Sequence, residues 1–369
     1  MTDAIEIAQA LIRVDTCNPP GQEEAAARIL APRLADAGFA VELHGFAPGR
    51  ANLVAVRRSG RRRPALAFTG HLDTVPLGTV PWRHDPFAGE IENGRLYGRG
   101  ASDMKAAVAA FVAAALDTRD VDADLALVIT GGEERGCEGA LALAQARIAL
   151  PEIAGWIVAE PTSNGLALGH KGALFSFIHF VGVSAHSSTP HLGVNAIYRA
   201  CTTALAVRDM DFPARHAVLG QATANVGLID GGHAPNAVPD RARLHVDVRT
   251  LPGMDHGEVL ARLVGLAGDG AQLECAHDLA PVWTDPADPF VALCGAAREA
   301  EGQMAEPPRG ASFFTDASVL ARLAPAPVVI LGPGEASQAH VTDEWCGVKE
   351  VETARSIYER LIRMHADAA

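Results

Sequence analysis

Three apolar, strand-like runs in this chain each end within a few residues of a histidine or a carboxylate, and this constrains the fold more than any other feature. Residues 65–69 lead into His71 and Asp73, residues 125–130 into Glu133 and Glu134, and residues 156–159 into Glu160. Apolar runs of this kind, alternating with helical stretches, predict a largely parallel sheet covered by helices on its faces. In open sheets of that type functional groups gather beyond the carboxyl ends of the strands. The expected fold class is therefore α/β, with a mixed, mostly parallel sheet and flanking helices. Histidine and carboxylates gathered among small residues suit divalent metal.

Helical spacing recurs over residues 4–12 and 23–34, on either side of the turn signal Asn18-Pro19-Pro20-Gly21. Further strand-like runs cover residues 40–43 and 52–56. An Ala-rich helix is predicted over residues 104–116, with Asp103 at its N-terminus and Lys105 as a surface charge on its first turn. Between residues 173 and 280 the pattern changes to strand, helix, strand, strand, helix, strand, the order of a ferredoxin-like α+β unit. Helical and strand patterns of the first kind then return. The chain thus divides into a larger domain in two parts, 1–172 and 281–369, with a small domain inserted at 173–280.

Composition excludes several classes of function. The 369 residues are 49% apolar and carry a formal charge of −13, which disfavours nucleic acid and anionic lipid as partners. The one basic cluster, Arg57, Arg58, Arg61, Arg62 and Arg63, reads as a solvated hairpin turn. Six cysteines are widely spaced with no C-x-x-C pair, which fits reduced thiols in a cytoplasmic protein. Asp3 and Glu6 stand where a secretory signal would carry bases. The longest uncharged apolar run, residues 106–116, is too short to span a bilayer.

The motifs resemble those of the dinuclear metallopeptidase and deacylase family that includes acetylornithine deacetylase, succinyl-diaminopimelate desuccinylase, aminoacylase and glutamate carboxypeptidase. The resemblance rests on His71-x-Asp73, on Gly98-Arg-Gly-x-x-Asp103-Met-Lys, on the Glu133-Glu134 pair, on Ala-Glu160-Pro-Thr and on Gln-Ala-His340. It implies a zinc-peptidase-like fold and two divalent ions, zinc first, with cobalt or manganese as alternatives. His71 would bind one ion and His340 the other, Glu160 and Glu134 would complete one ion each, Asp103 would bridge the two, and the inserted domain would be a lid or dimerisation domain. Asp73 would orient His71 through its second nitrogen. Glu133 would be the general base toward a metal-bridging water. The resemblance also implies a cis peptide at Asp103-Met104.

In the inserted domain the same resemblance gives His186 the task of stabilising an oxyanion in a neighbouring subunit, which requires at least a homodimer. Asn236 and Arg249 match substrate-binding positions, arginine taking a carboxylate through its planar fork. Asp316 falls in a segment that matches a substrate-pocket loop and reads equally as a helix N-cap. The activity implied is removal of an acetyl or succinyl group from the nitrogen of an amino acid. A carboxypeptidase or dipeptidase acting on short peptides is the alternative. A non-catalytic binding module is opposed by Glu133, since a ligand site needs no base.

Overall fold

The computed structural model describes residues 3–60 and 63–367; Arg61 and Arg62 of the basic cluster lie outside the described residues. The chain forms two compact units. The larger takes the chain up to Gly169, Trp283–Arg309 and the chain from Thr315, and the smaller takes His170–Val282 with Gly310–Phe314.

The larger unit is organised by one sheet. Its strands lie in the order Ala40–Ala47, Arg50–Arg57, Leu125–Thr130, Ala65–His71, Ile153–Val158, Val328–Ile330, Ala167–His170, Val282–Trp283. The four from Leu125–Thr130 to Val328–Ile330 run parallel, and antiparallel strands flank them. Parallel strands cannot be joined by tight hairpins, so crossovers carry the chain back over the faces. One of them contains the helix Ala106–Asp117, ten residues of which are buried. A helix apolar all round belongs in the middle of a layer, and this one joins a core with Ala4–Ile12 and the long closing helix Val348–Asp367. Because the central strands share a direction, the segments after His71, Thr130, Val158 and Ile330 leave the sheet at one end.

The helix expected from residue 104 begins at Ala106. Before it lies a single irregular turn, Ala101–Lys105, in which Asp103 and Met104 leave helical geometry and their peptide bond is cis. Asp103 is therefore presented from a turn, not from a helix N-terminus. Lys105 is a second correction: it is fully buried and its Nζ donates to the Val14 carbonyl at 2.9 Å, with burial pushing its amine down to about 8. Elements too short for periodicity to reveal include the helices Glu138–Gln145 and Ala317–Leu323 and the small sheet of Ile91–Glu92, Arg95–Tyr97 and Trp345–Gly347. Among the described residues no helix is long and apolar enough to cross a membrane.

In the smaller unit four antiparallel strands lie in the order Thr223–Gly231, Arg241–Thr250, Gly172–Val181, Gln272–Leu279. Numbered by chain position this is 2-3-1-4, with the helices Ala196–Arg208 and His256–Ala267 between strands one and two and strands three and four. A short extra hairpin, Arg215–His216 with Gly220–Gln221, is appended.

Candidate metal centre

His71 closes the Ala65–His71 strand and is 1% exposed. Its Nδ1 lies 2.9 Å from the Asp73 carbonyl oxygen, which can only accept, so Nδ1 carries the proton in the neutral ring. The Nε2 lone pair then points toward Asp103 Oδ1 at 3.1 Å, with Glu160 Oε1 at 3.9 Å. On the other side of Asp103, His340 Nε2 lies 3.4 Å from Oδ2 and 3.0 Å from Glu134 Oε1. Asp103 thus offers one oxygen to each histidine. Two sets result, His71 with Asp103 and Glu160, and Asp103 with Glu134 and His340, and within each the ligand atoms lie within 4.8 Å of one another.

This donor set fits a pair of cations. A neutral imidazole facing a carboxylate at hydrogen-bond distance places acceptor against acceptor, and only a proton or a metal ion between them relieves it. One imidazole and two carboxylates, one shared, form a mixed N/O set suited to divalent ions such as zinc. His340 also adopts the left-handed backbone region, φ 64°, a conformation that non-glycine residues keep where the surroundings enforce it.

The electrostatics carry the same message. Burial raises Glu133 well above the usual carboxylate range, and Glu160 and Glu134 push it further. Burial, with Asp103 and Glu134 beside it, does the same to Glu160. His340, bonded to Asp103 and Glu134, is pushed up to about 10. Burial alone would raise Asp103, but its bonds to His340 and His71 outweigh that and hold it down. So many carboxyls in one buried place repel one another, and added positive charge relieves the repulsion.

Glu133 and Glu134 follow the Leu125–Thr130 strand through Gly131 and Gly132. Gly132 needs its left-handed φ of 75°, and a Cβ on Gly131 would lie 2.8 Å from the side chain of buried Glu23. The glycines therefore allow close approach to the protein's own ion pair, Glu23 with Arg50 at 2.7 Å, rather than to a ligand. Asp73 then fixes the pair: Oδ1 accepts from Glu133 N at 3.1 Å, while Oδ2 accepts from Glu134 N at 3.3 Å and from Asn18 Nδ2 at 3.2 Å. The expected grip of the Asp73 carboxylate on His71 is loose, 3.5 Å, because these donors occupy it and the Asp73 carbonyl is nearer.

Asp316 departs from its reading as a helix N-cap. It precedes the helix Ala317–Leu323 without a capping bond, and Thr315 Oγ1 takes the Ala317 N–H instead. The carboxylate is 3% exposed; it accepts from the Thr130 hydroxyl, and burial lifts it to about 6. Cys137 is buried nearby, and all six cysteines are free.

Within the smaller unit, the Ser187 N–H donates to the Asn236 carbonyl at 3.0 Å, so the backbones carrying His186 and Asn236 are neighbours. His186 Nδ1 accepts from the Ser188 N–H at 3.2 Å. The ring proton is thereby assigned to Nε2, where it is available for donation. Arg249 pairs with Asp247 at 3.0 Å and lies over Phe175 and Phe314. Two buried residues to which the sequence gives no role, Arg99 and Glu344, form an ion pair of 2.8 Å beside the Asp103 turn. An acid four residues beyond His340 carries no pattern that distinguishes a buried group from a solvated one.

Residues 67–364 match Peptidase family M20/M25/M40. The chain is 33% identical to an acetylornithine deacetylase of Proteus mirabilis, over 92% of this chain and 89% of that one. It is 32% identical to a succinyl-diaminopimelate desuccinylase of Methylobacterium radiotolerans, over 97% and 96%. Its fold is similar to that of an M20 family metallo-carboxypeptidase from Sulfolobus solfataricus, with a TM-score of 0.83 at 18% identity and full coverage of both chains. It is also similar to a dinuclear metal-binding peptidase of the same family from Bacillus subtilis, with a TM-score of 0.74 at 14% identity over 99% and 96%.

Proposed function

Since the chain belongs to peptidase family M20/M25/M40, we propose that it is a metal-dependent amidohydrolase that removes an acetyl or succinyl group from the nitrogen of an amino acid. The observation that carries this reading is the pair of ligand sets sharing Asp103, with Glu133 buried beside them. His71 and Glu160 would hold one ion, Glu134 and His340 the other, and Asp103 both. Zinc is the favoured metal, with cobalt and manganese able to replace it. When bound, the two ions supply Lewis-acid activation of the attacking water and of the amide carbonyl.

The chain's own residues do the rest. Glu133 takes the proton from the attacking water and returns it to the departing nitrogen. Asp73 holds the backbone of Glu133 and so its aim. His186 donates from Nε2 to the oxyanion, Asn236 binds the substrate, and Arg249 receives the carboxylate of the amino acid. Release of amine from N-acetyl and N-succinyl amino acids, measured beside dipeptides after loading with zinc, cobalt or manganese, tests the reading. Acylated amino acids are expected to turn over faster than dipeptides. Faster cleavage of dipeptides would make the chain a peptidase, and no turnover of either would remove the activity.

A cytoplasmic homodimer completes the proposal. Free thiols suit a reducing compartment. The strand Thr223–Gly231 is at one end of its sheet, with Leu228 61% and Ile229 51% exposed, and Tyr198 on the helix Ala196–Arg208 is 72% exposed. An apolar strand edge of this kind invites a second copy. If His186 serves the neighbouring subunit, inactive Glu133→Gln and His186→Ala chains mixed in equal amounts should regain about a quarter of wild-type turnover. Half of the dimers are then mixed, and each holds one complete site. Mixtures as inactive as the separate variants would show that His186 does not act across subunits.

A further inference from the structure

Glu344 is 1% exposed and all its acceptor capacity is directed at the turn that presents Asp103. Oε1 accepts from Ser102 N at 2.8 Å and Asp103 N at 3.0 Å; Oε2 accepts from Gly100 N at 2.9 Å and from Arg99 Nη1 at 2.8 Å. Successive backbone N–H groups converging on one anion form a concave nest, here filled by a side chain from the far end of the chain. The Gly98 N–H adds a bond to the Glu344 carbonyl at 3.0 Å. Arg99 extends the grip with bonds to Val341 O and Pro76 O, each 3.2 Å. Three segments are tied together: the one leaving Asp73, the turn carrying Asp103 and the loop from His340 to Glu344.

We propose that Glu344, held by Arg99, is the positioning residue that sets the Asp103 carboxylate between the two histidines and locks the His340 loop to it. The inference rests on the metal reading above and adds a residue-level cause for the shared-ligand geometry. Asp103 has little freedom once its own N–H and those of Gly100 and Ser102 are fixed. His340, four residues before Glu344, is tethered by the same carboxylate. The ligand set of Asp103, Glu134 and His340 therefore depends on the clamp through two members. The set of His71, Asp103 and Glu160 depends on it through one.

Glu344→Gln keeps one oxygen and replaces the other with a donor, so two of the four bonds are lost and Arg99 is left without its counter-charge. Zinc titration of the metal-free full chain, followed by calorimetry and by cobalt absorption, reads the consequence without substrate. The wild type is expected to take up two ions. In Glu344→Gln the uptake step of the set Asp103, Glu134 and His340 should lose about 10- to 100-fold in affinity, the usual effect of removing a partner that orients metal ligands, and the other step should change less. Arg99→Lys keeps the carboxylate and a cation but cannot span Pro76 and Val341, so it should shift the same step in the same direction even where Glu344→Gln does not fold. Leu361→Ala, in the closing helix, controls for lost stability alone and should leave both steps unchanged. Unaltered zinc affinities in Arg99→Lys and in folded Glu344→Gln would overturn the clamp. A wild type that takes up no zinc would instead sink the metal reading on which it rests.

Discussion

Glu133→Gln is expected to lower kcat by about 10²- to 10⁴-fold, the range supplied by a positioned general base, with metal content and KM close to wild type. The substitution removes the proton acceptor and preserves volume. It leaves the Glu133 N–H bond to Asp73 intact, and Glu133 belongs to neither ligand set. An effect confined to kcat would mean that the group acts in the transition state and not in binding. Metal analysis and steady-state kinetics on the same preparation make the check. Loss of an ion in the variant would make Glu133 a ligand, and retained turnover would make it a bystander.

The contrast between Glu133 and Glu344 shows what a sequence discloses. His71, Glu133, Glu134 and Glu160 follow apolar runs, and the parallel sheet carries the ends of those runs to one side, so their placement follows from periodicity and topology. Asp103 and His340 were legible from motif resemblance, but their backbones are irregular, a turn with non-helical dihedrals and a left-handed residue, which periodicity does not encode. Lys105 departs from its surface reading because burial of a charged residue is decided by tertiary packing. Lys105 closes the turn and meets the Val14 carbonyl, a partner 91 residues away in the chain. Glu344 meets donors more than 240 residues away. Long-range pairing of polar groups has no local signature, and the outer layer of a site is therefore its least legible part.

Metal-free protein is expected to lose stability as pH rises from about 5 toward 10, and zinc to reverse the trend. Glu133, Glu134 and Glu160 sit above their ordinary value of 4.5, burial being the first cause in each. His71 is raised well above 6.5, its bonds to Asp103 and Asp73 outweighing burial, and His340 lies at about 10. A group whose pKa is higher in the folded state contributes stability that is complete below its unfolded pKa and disappears as pH climbs through the folded one. All five groups share that sign across this window. Asp73 and Asp103 have the opposite sign, but their contribution is lost only below about 3.8; buried His170, held at about 4, and Lys105, held at about 8, oppose the trend up to pH 6.5 and above pH 8 respectively, two groups against five. Metal binds the deprotonated forms, so its uptake releases protons and tightens with pH; at roughly a thousand times its Kd a ligand adds about 4 kcal/mol. Thermal midpoints of chelator-treated and zinc-loaded protein should therefore diverge as pH rises, the metal-free curve descending. A metal-free midpoint that climbs as pH rises from the ordinary histidine value of 6.5 toward the value of about 10 at His340 would mean that the carboxylates are not crowded as described. A zinc-loaded midpoint that tracks it would mean that no cation relieves them.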